Sequence, residues 1–124
     1  MGGPVILVVD DVEETRDGIL ALLGADGYAV DGARSEDDAV EHARRVYPDL
    51  ILVSFGGPSR RVVATAARIR RRAGLGERVP VVVFCVPTLE EGAEVALGGN
   101  VHATRPDNFN QLRAFMRRLL EEAA

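Results

Sequence analysis

The apolar runs at residues 4–9 (Pro-Val-Ile-Leu-Val-Val), 49–53 (Asp-Leu-Ile-Leu-Val) and 81–86 (Val-Val-Val-Phe-Cys-Val) are nearly continuous, and this limits what the chain can fold into. A strand solvated on one face alternates apolar and polar residues. An unbroken run asks for a strand covered on both faces, as in a parallel sheet.

Between the runs the period changes to that of helices. Val12, Ile19, Leu22 and Leu23 recur at helical spacing until Gly24 and Gly27 stop them. Residues 28–33 form a weaker strand, after which Ser35 caps an acidic first turn, Glu36-Asp37-Asp38, of a helix that runs to about Val46 and breaks at Tyr47-Pro48. Ser59 is placed to cap a third helix with Val62, Ala66, Ile69 and Ala73 on its apolar side, closed by Gly74 and Gly76. Arg60, Arg61, Arg68, Arg71 and Arg72 gather on its opposite side. Thr88-Leu89-Glu90-Glu91 reads as a capping box that opens a fourth helix, ending near Gly98-Gly99. Residues 101–104 make a brief fifth strand, and Phe109, Leu112, Met116 and Leu119 give a fifth helix its buried stripe. Five strands alternating with five helices predict an α/β, doubly wound parallel sheet. With 124 residues, the expectation is a single domain over 1–124.

Composition excludes several functions. No apolar run approaches a membrane span and the amino terminus lacks the features of a signal peptide, so a cytoplasmic chain with no membrane partner is expected. The single cysteine, Cys85, excludes an internal disulfide, and without a Cys/His cluster an ordinary zinc site is excluded too. A net charge of -4 argues against general nucleic-acid binding. All 15 basic residues are arginine, so any one of them is weak evidence for a special role.

Ile6-Leu7-Val8-Val9-Asp10-Asp11, Pro48-Asp49-Leu50-Ile51-Leu52-Val53 and Gly98-Gly99-Asn100 leading to Arg105-Pro106 together resemble the receiver domain of two-component response regulators, over the whole chain. The resemblance implies a flavodoxin-like sheet of five strands in the order 2-1-3-4-5, with the site at the carboxyl ends of the central strands. In the family an aspartate ending the third strand accepts a phosphoryl group from a histidine kinase, with magnesium held by that residue and an acidic pair. Asp10 and Asp11 match the pair, and Gly56 stands where a backbone carbonyl faces the metal. The other positions depart: Ser54 stands at the acceptor, Cys85 at the Thr or Ser, Arg105 at the lysine and His102 at the aromatic switch residue. Arg61-Val62 replaces the usual Asp-Gly.

These departures change the chemistry. An ionised aspartate attacks phosphorus directly and gives a labile mixed anhydride, whereas a serine needs a base, and a carboxylate with a pKa near 4 is poorly matched to that task. Magnesium loses one of its hard oxygen ligands, leaving Asp11, Asp10 and Gly56 as a weak or absent site. Arg105 is expected to pair with Asp10 or Asp11, its planar fork matching a carboxylate.

The reading is therefore a degenerate receiver, not an enzyme, that needs no cofactor and works by contact with protein partners, with a homodimer as one arrangement. The resemblance implies that such contacts use the face of the fourth helix, fifth strand and fifth helix. A second reading is a working receiver with an unusual acceptor and weak magnesium binding. A third, of another class, is a flavodoxin-like ligand-binding protein or an enzyme using Cys85. Against each sharp reading stands a plain one: Cys85 as a small buried apolar residue, His102 as an ordinary half-buried histidine, His42 as a solvated one, and the arginine side of the third helix as solvated surface.

Overall fold

The computed structural model describes residues 3–84 and 86–123. β1 (Val5–Asp10), α1 (Glu13–Ala25), β2 (Ala29–Ala33), α2 (Glu36–Val46), β3 (Leu50–Ser54) and α3 (Ser59–Arg72) follow the alternation expected from the sequence. β4 (Val81–Val83), β5 (Glu94–Ala96), β6 (Val101–Thr104) and α4 (Phe109–Ala123) complete it. The strands form one sheet in the order β2-β1-β3-β4-β6-β5. Every neighbouring pair is parallel except β5 with β6. Without β5 the order is the expected flavodoxin-like 2-1-3-4-5.

Both faces of the sheet are covered, as the unbroken apolar runs require. Leu7, Val9, Ile51, Val53, Val81 and Val83 face α2 and α3, where Val40, Ala43, Val62, Ala66 and Ile69 meet them. Ile6, Val8, Leu50, Leu52 and Val82 face α1 and α4 and pack on Ile19, Leu23, Leu112, Phe115 and Met116. Each such fully buried side chain contributes about 1.5–3 kcal/mol of apolar transfer, which is why the central strands tolerate no polar interruption. At the start of α2, Ser35 Oγ accepts from the Asp38 N–H at 3.2 Å, as its position predicted. Ser59 behaves differently from expectation. It is the first helical residue of α3, Pro58 is the cap, and no side chain caps that end.

The fourth helix expected from Thr88 is absent, so among the described residues there are four helices and six strands rather than five and five. The segment is instead the outer arm of a hairpin. Gly98, Gly99 and Asn100 all have positive φ, of 92°, 60° and 61°, and form the tight turn between β5 and β6. At the far end of the hairpin the Ala93 carbonyl accepts from both the Arg105 N–H (3.1 Å) and Thr104 Oγ1 (2.7 Å). A helix through residues 88–98 would have to carry Gly92 in its interior, and the hairpin bonds outweigh what its capping box offers. β4 is also shorter than the expected run 81–86, and Cys85 lies outside the described residues.

Arg70 anchors the hairpin turn to α3. It is 7% exposed, and its guanidinium donates to the carbonyls of Val79 (3.0 Å), Gly99 (2.6 Å) and Asn100 (3.4 Å). Burial lowers its pKa, but three carbonyls supply the acceptors that a desolvated guanidinium needs.

Candidate functional site at the strand ends

Asp10 and Ser54 end the two central strands side by side, in direct register across the β1–β3 pair. Asp10 is 2% exposed. Its Oδ1 accepts from the Val12 N–H at 2.8 Å, while Oδ2 is buried with no partner among the described residues. Burial raises the Asp10 pKa most; the Val12 hydrogen bond opposes this, Asp11 adds like-charge repulsion, and Arg16 pulls the other way. Asp11, one residue on, is exposed in the loop before α1. The expected acidic pair is thus brought to one place, but only one of its members is buried.

The guanidinium at this site is not the one expected. Arg105 is exposed and donates to the Leu89 carbonyl at 3.0 Å, and no ion pair among the described residues joins it to Asp10 or Asp11. The replacement of the fourth helix by a loop and hairpin explains this, since the Leu89 carbonyl is left free to accept from Arg105. Arg16 of α1 stands nearer, donating through Nη1 to the Asp10 main-chain carbonyl at 2.9 Å. Nothing in the sequence distinguishes Arg16 from the other arginines, so this role could not be read from spacing. Arg70 could have been found, because it falls on the same helical stripe as Val62, Ala66 and Ile69.

Ser54 is half-buried, and no side-chain hydrogen bond reaches its hydroxyl among the described residues. No described imidazole or carboxylate is hydrogen-bonded to it, although Asp10 stands beside it in the sheet register. Gly56 and Gly57 are exposed in the loop that follows, Gly57 with φ of 112° and therefore dependent on glycine's conformational freedom. Magnesium takes six or more oxygen donors, usually with carboxylates among them. Here the carboxylates are Asp10 and Asp11, and among the described residues no group of three or more His, Cys, Asp or Glu side chains could share a metal ion. The orphaned Asp10 Oδ2 is one ready donor, but the set does not fit a resident magnesium.

His102 is half-buried on β6. Its ring meets Phe115 of α4 edge to face at 5.6 Å, and Nε2 lies 2.9 Å from Asn100 Oδ1. Burial holds its pKa below the usual histidine value. It therefore sits away from Asp10 and Ser54, joined to the turn and the last helix. His42 corrects the expectation of a merely solvated side chain: Nδ1 lies 2.7 Å from Asp31 and Nε2 3.3 Å from Asp38. The arginine side of α3 is also engaged. Arg68 holds Glu36 through two bonds of 2.7 and 2.6 Å, and Arg72 reaches Glu36 and Asp37 at 2.8 and 2.9 Å. Part of the basic surface is thereby neutralised within the fold.

Comparison with known proteins agrees with this geometry. No family model matches the sequence. The chain is 30% identical over 112 residues to the transcriptional regulatory protein DltR of Streptococcus agalactiae, a match that covers 90% of this chain and 50% of DltR. The chain thus spans about half the length of the curated relatives it matches. Among solved structures it is similar to the chemotaxis protein CheY4 of Vibrio cholerae, with a TM-score of 0.67 and 16% identity, over 94% of this chain and 98% of that one. It is similar as well to the response regulator TrrA of Thermotoga maritima, solved with magnesium and a beryllium fluoride, with a TM-score of 0.68 and 19% identity, over 94% and 99% of the two chains. No helix among the described residues is long and apolar enough to cross a membrane. The chain has the flavodoxin-like fold of CheY-type receiver domains, extended by one antiparallel strand.

Proposed function

We propose that this chain is a receiver-type signalling module of a two-component response regulator in which the phospho-acceptor aspartate is replaced by Ser54, and that it acts by contact with protein partners instead of by phosphoryl transfer. The observation that carries the reading is the register of Asp10 with Ser54. In this reading Ser54 stands where a receiver presents its nucleophile, as a neutral hydroxyl to which no described side chain is hydrogen-bonded, beside the buried Asp10 carboxylate. A neutral alcohol so placed attacks phosphorus slowly, and any ester it formed would not reset itself. The similarity to DltR, CheY4 and TrrA supports the signalling class, and a cytoplasmic location goes with it.

In this reading magnesium is no required cofactor and binds weakly at Asp10 and Asp11. Partners meet the surface that β6 and α4 form, where a receiver's fourth helix is replaced by β5. The module is not a catalyst, and the half-buried hydroxyl of Ser54 is architecture.

Magnesium titration of the wild type beside Ser54→Asp, followed by amide chemical shifts at Asp10 and Asp11, tests the reading. The variant is expected to bind at least tenfold more tightly, because a third carboxylate joins the donors. Sub-millimolar binding by the wild type, with shifts centred on Asp11, would sink it.

A further inference from the structure

β5 forms one of the two edges of the sheet, and its hydrogen-bond pattern shows what that edge can take. The Leu97 N–H donates to Val101 O at 2.8 Å and the Arg105 N–H to Ala93 O at 3.1 Å. In an antiparallel ladder alternate residues turn their main-chain groups to opposite sides. Ala93, Val95 and Leu97 therefore face β6, while Glu94 and Ala96 turn their N–H and C=O outward. Folded proteins commonly guard such an edge with lysine, proline or an unpaired charge, or by keeping the strand very short, and β5 has only the last of these with its 3 residues. Between Ala93 and Leu97 there is no proline and no basic residue, and the one acid, Glu94, is paired with Arg118 of its own chain. Val95 and Leu97 are 38% and 47% exposed on this edge.

The geometry points to a second copy of this chain as the occupant, its β5 running antiparallel to the first about a two-fold axis at Val95. Glu94 of each copy then pairs with Ala96 of the other, and each such pair exchanges both of its outward-turned main-chain bonds. Val95 meets Val95 across the axis, at the closely spaced type of position where side chains pack best. The neighbouring registers are excluded by the strand itself. An axis on Glu94 sets two carboxylates face to face. An axis on Ala96 pairs Glu94 with Gly98, which at φ of 92° already belongs to the turn. The edge is self-complementary in one register, and this favours a second copy over an unrelated strand. The paired segment is short, so association is expected to be concentration-dependent.

Sedimentation velocity over a concentration series tests this. The wild type should shift toward twice the monomer mass as concentration rises. Ala96→Pro removes an outward N–H without touching the bonds to β6, and should remain monomeric. Val95→Lys places like charges on the axis and should do the same; if the proline variant loses its folded circular-dichroism spectrum, the lysine variant carries the test alone. Val95→Cys should give a disulfide-linked dimer under mild oxidation that the wild type, with its single Cys85, does not give. A wild type that stays monomeric throughout, or a folded Ala96→Pro or Val95→Lys chain that associates as the wild type does, would overturn the proposal.

Discussion

The two halves of the sheet were built by different rules. From β1 to α3 the chain has long helices, strands in continuous parallel register and a core on both faces. From β4 to β6 the strands are three or four residues long, one of them exposed along its length, and their arrangement depends on a glycine-rich turn and a buried arginine. The first half sets the buried Asp10 beside Ser54 at the ends of two neighbouring strands. The second half has a loop and hairpin where a helix is expected from the sequence, and holds Arg105 on Leu89. A scaffold held by bulk burial follows the hydrophobic pattern closely; an element held by a few polar bonds can take a different form.

Cutting into each half should separate the two regimes most clearly. Leu52→Ala, in the fully buried centre of β3, should cost about 2–5 kcal/mol in denaturant unfolding, while Val95→Ala on the exposed hairpin should stay within about 0.5 kcal/mol. Comparable losses would mean that the hairpin is part of the core. Arg70→Ala should come next, at about 2–3 kcal/mol, because it leaves carbonyls of the turn without their donor. Hydrogen exchange should then rise first in residues 94–104 and not in β1 to β3. Uniform exchange would contradict the division.

Two smaller effects are read by pH. Hydrogen bonds from Arg68, then burial opposing them, then Arg72, set the Glu36 pKa, which is lowered from 4.5 to about 2. A depressed carboxylate stabilises the fold above 4.5, and this stability is lost as the pH falls from 4.5 toward 2. Glu36→Gln should remove that slope and cost about 1 kcal/mol at neutral pH, since the pairs are partly solvated. His102 is held neutral by burial, so the unfolded chain takes its proton first. Its contribution to stability is therefore lost as the pH drops below the unfolded value of 6.5. His102→Phe, which keeps a ring against Phe115, should flatten this by well under about 1 kcal/mol. An unchanged acid profile in either variant would show that the group does not report on its half of the sheet.

How much could be read beforehand follows the same division. The strand order and the convergence of Asp10, Asp11 and Ser54 come from the resemblance to receiver domains. The alternation of strands and helices up to α3 and the α2 cap at Ser35 were legible in long apolar runs, helical stripes and capping chemistry. The helix expected from Thr88 was not, since a capping box and an antiparallel arm compete over the same residues. Gly98-Gly99-Asn100 was the discriminating signal, as three residues that readily take positive φ favour a hairpin turn over a helix end. Pairing of Arg105 with the acids is expected because the resemblance sets it at the lysine position and its fork matches a carboxylate. Its actual partner, a carbonyl of the replaced helix, depended on that same misread segment.

The central claim is that Ser54 is no phosphoryl acceptor. Incubation of the wild type and Ser54→Asp with acetyl phosphate and magnesium, followed by intact mass, tests it most directly. The account predicts an unmodified wild type, whether or not the restored carboxylate suffices for the variant. A phosphoryl adduct of the wild type that maps to Ser54 would contradict it.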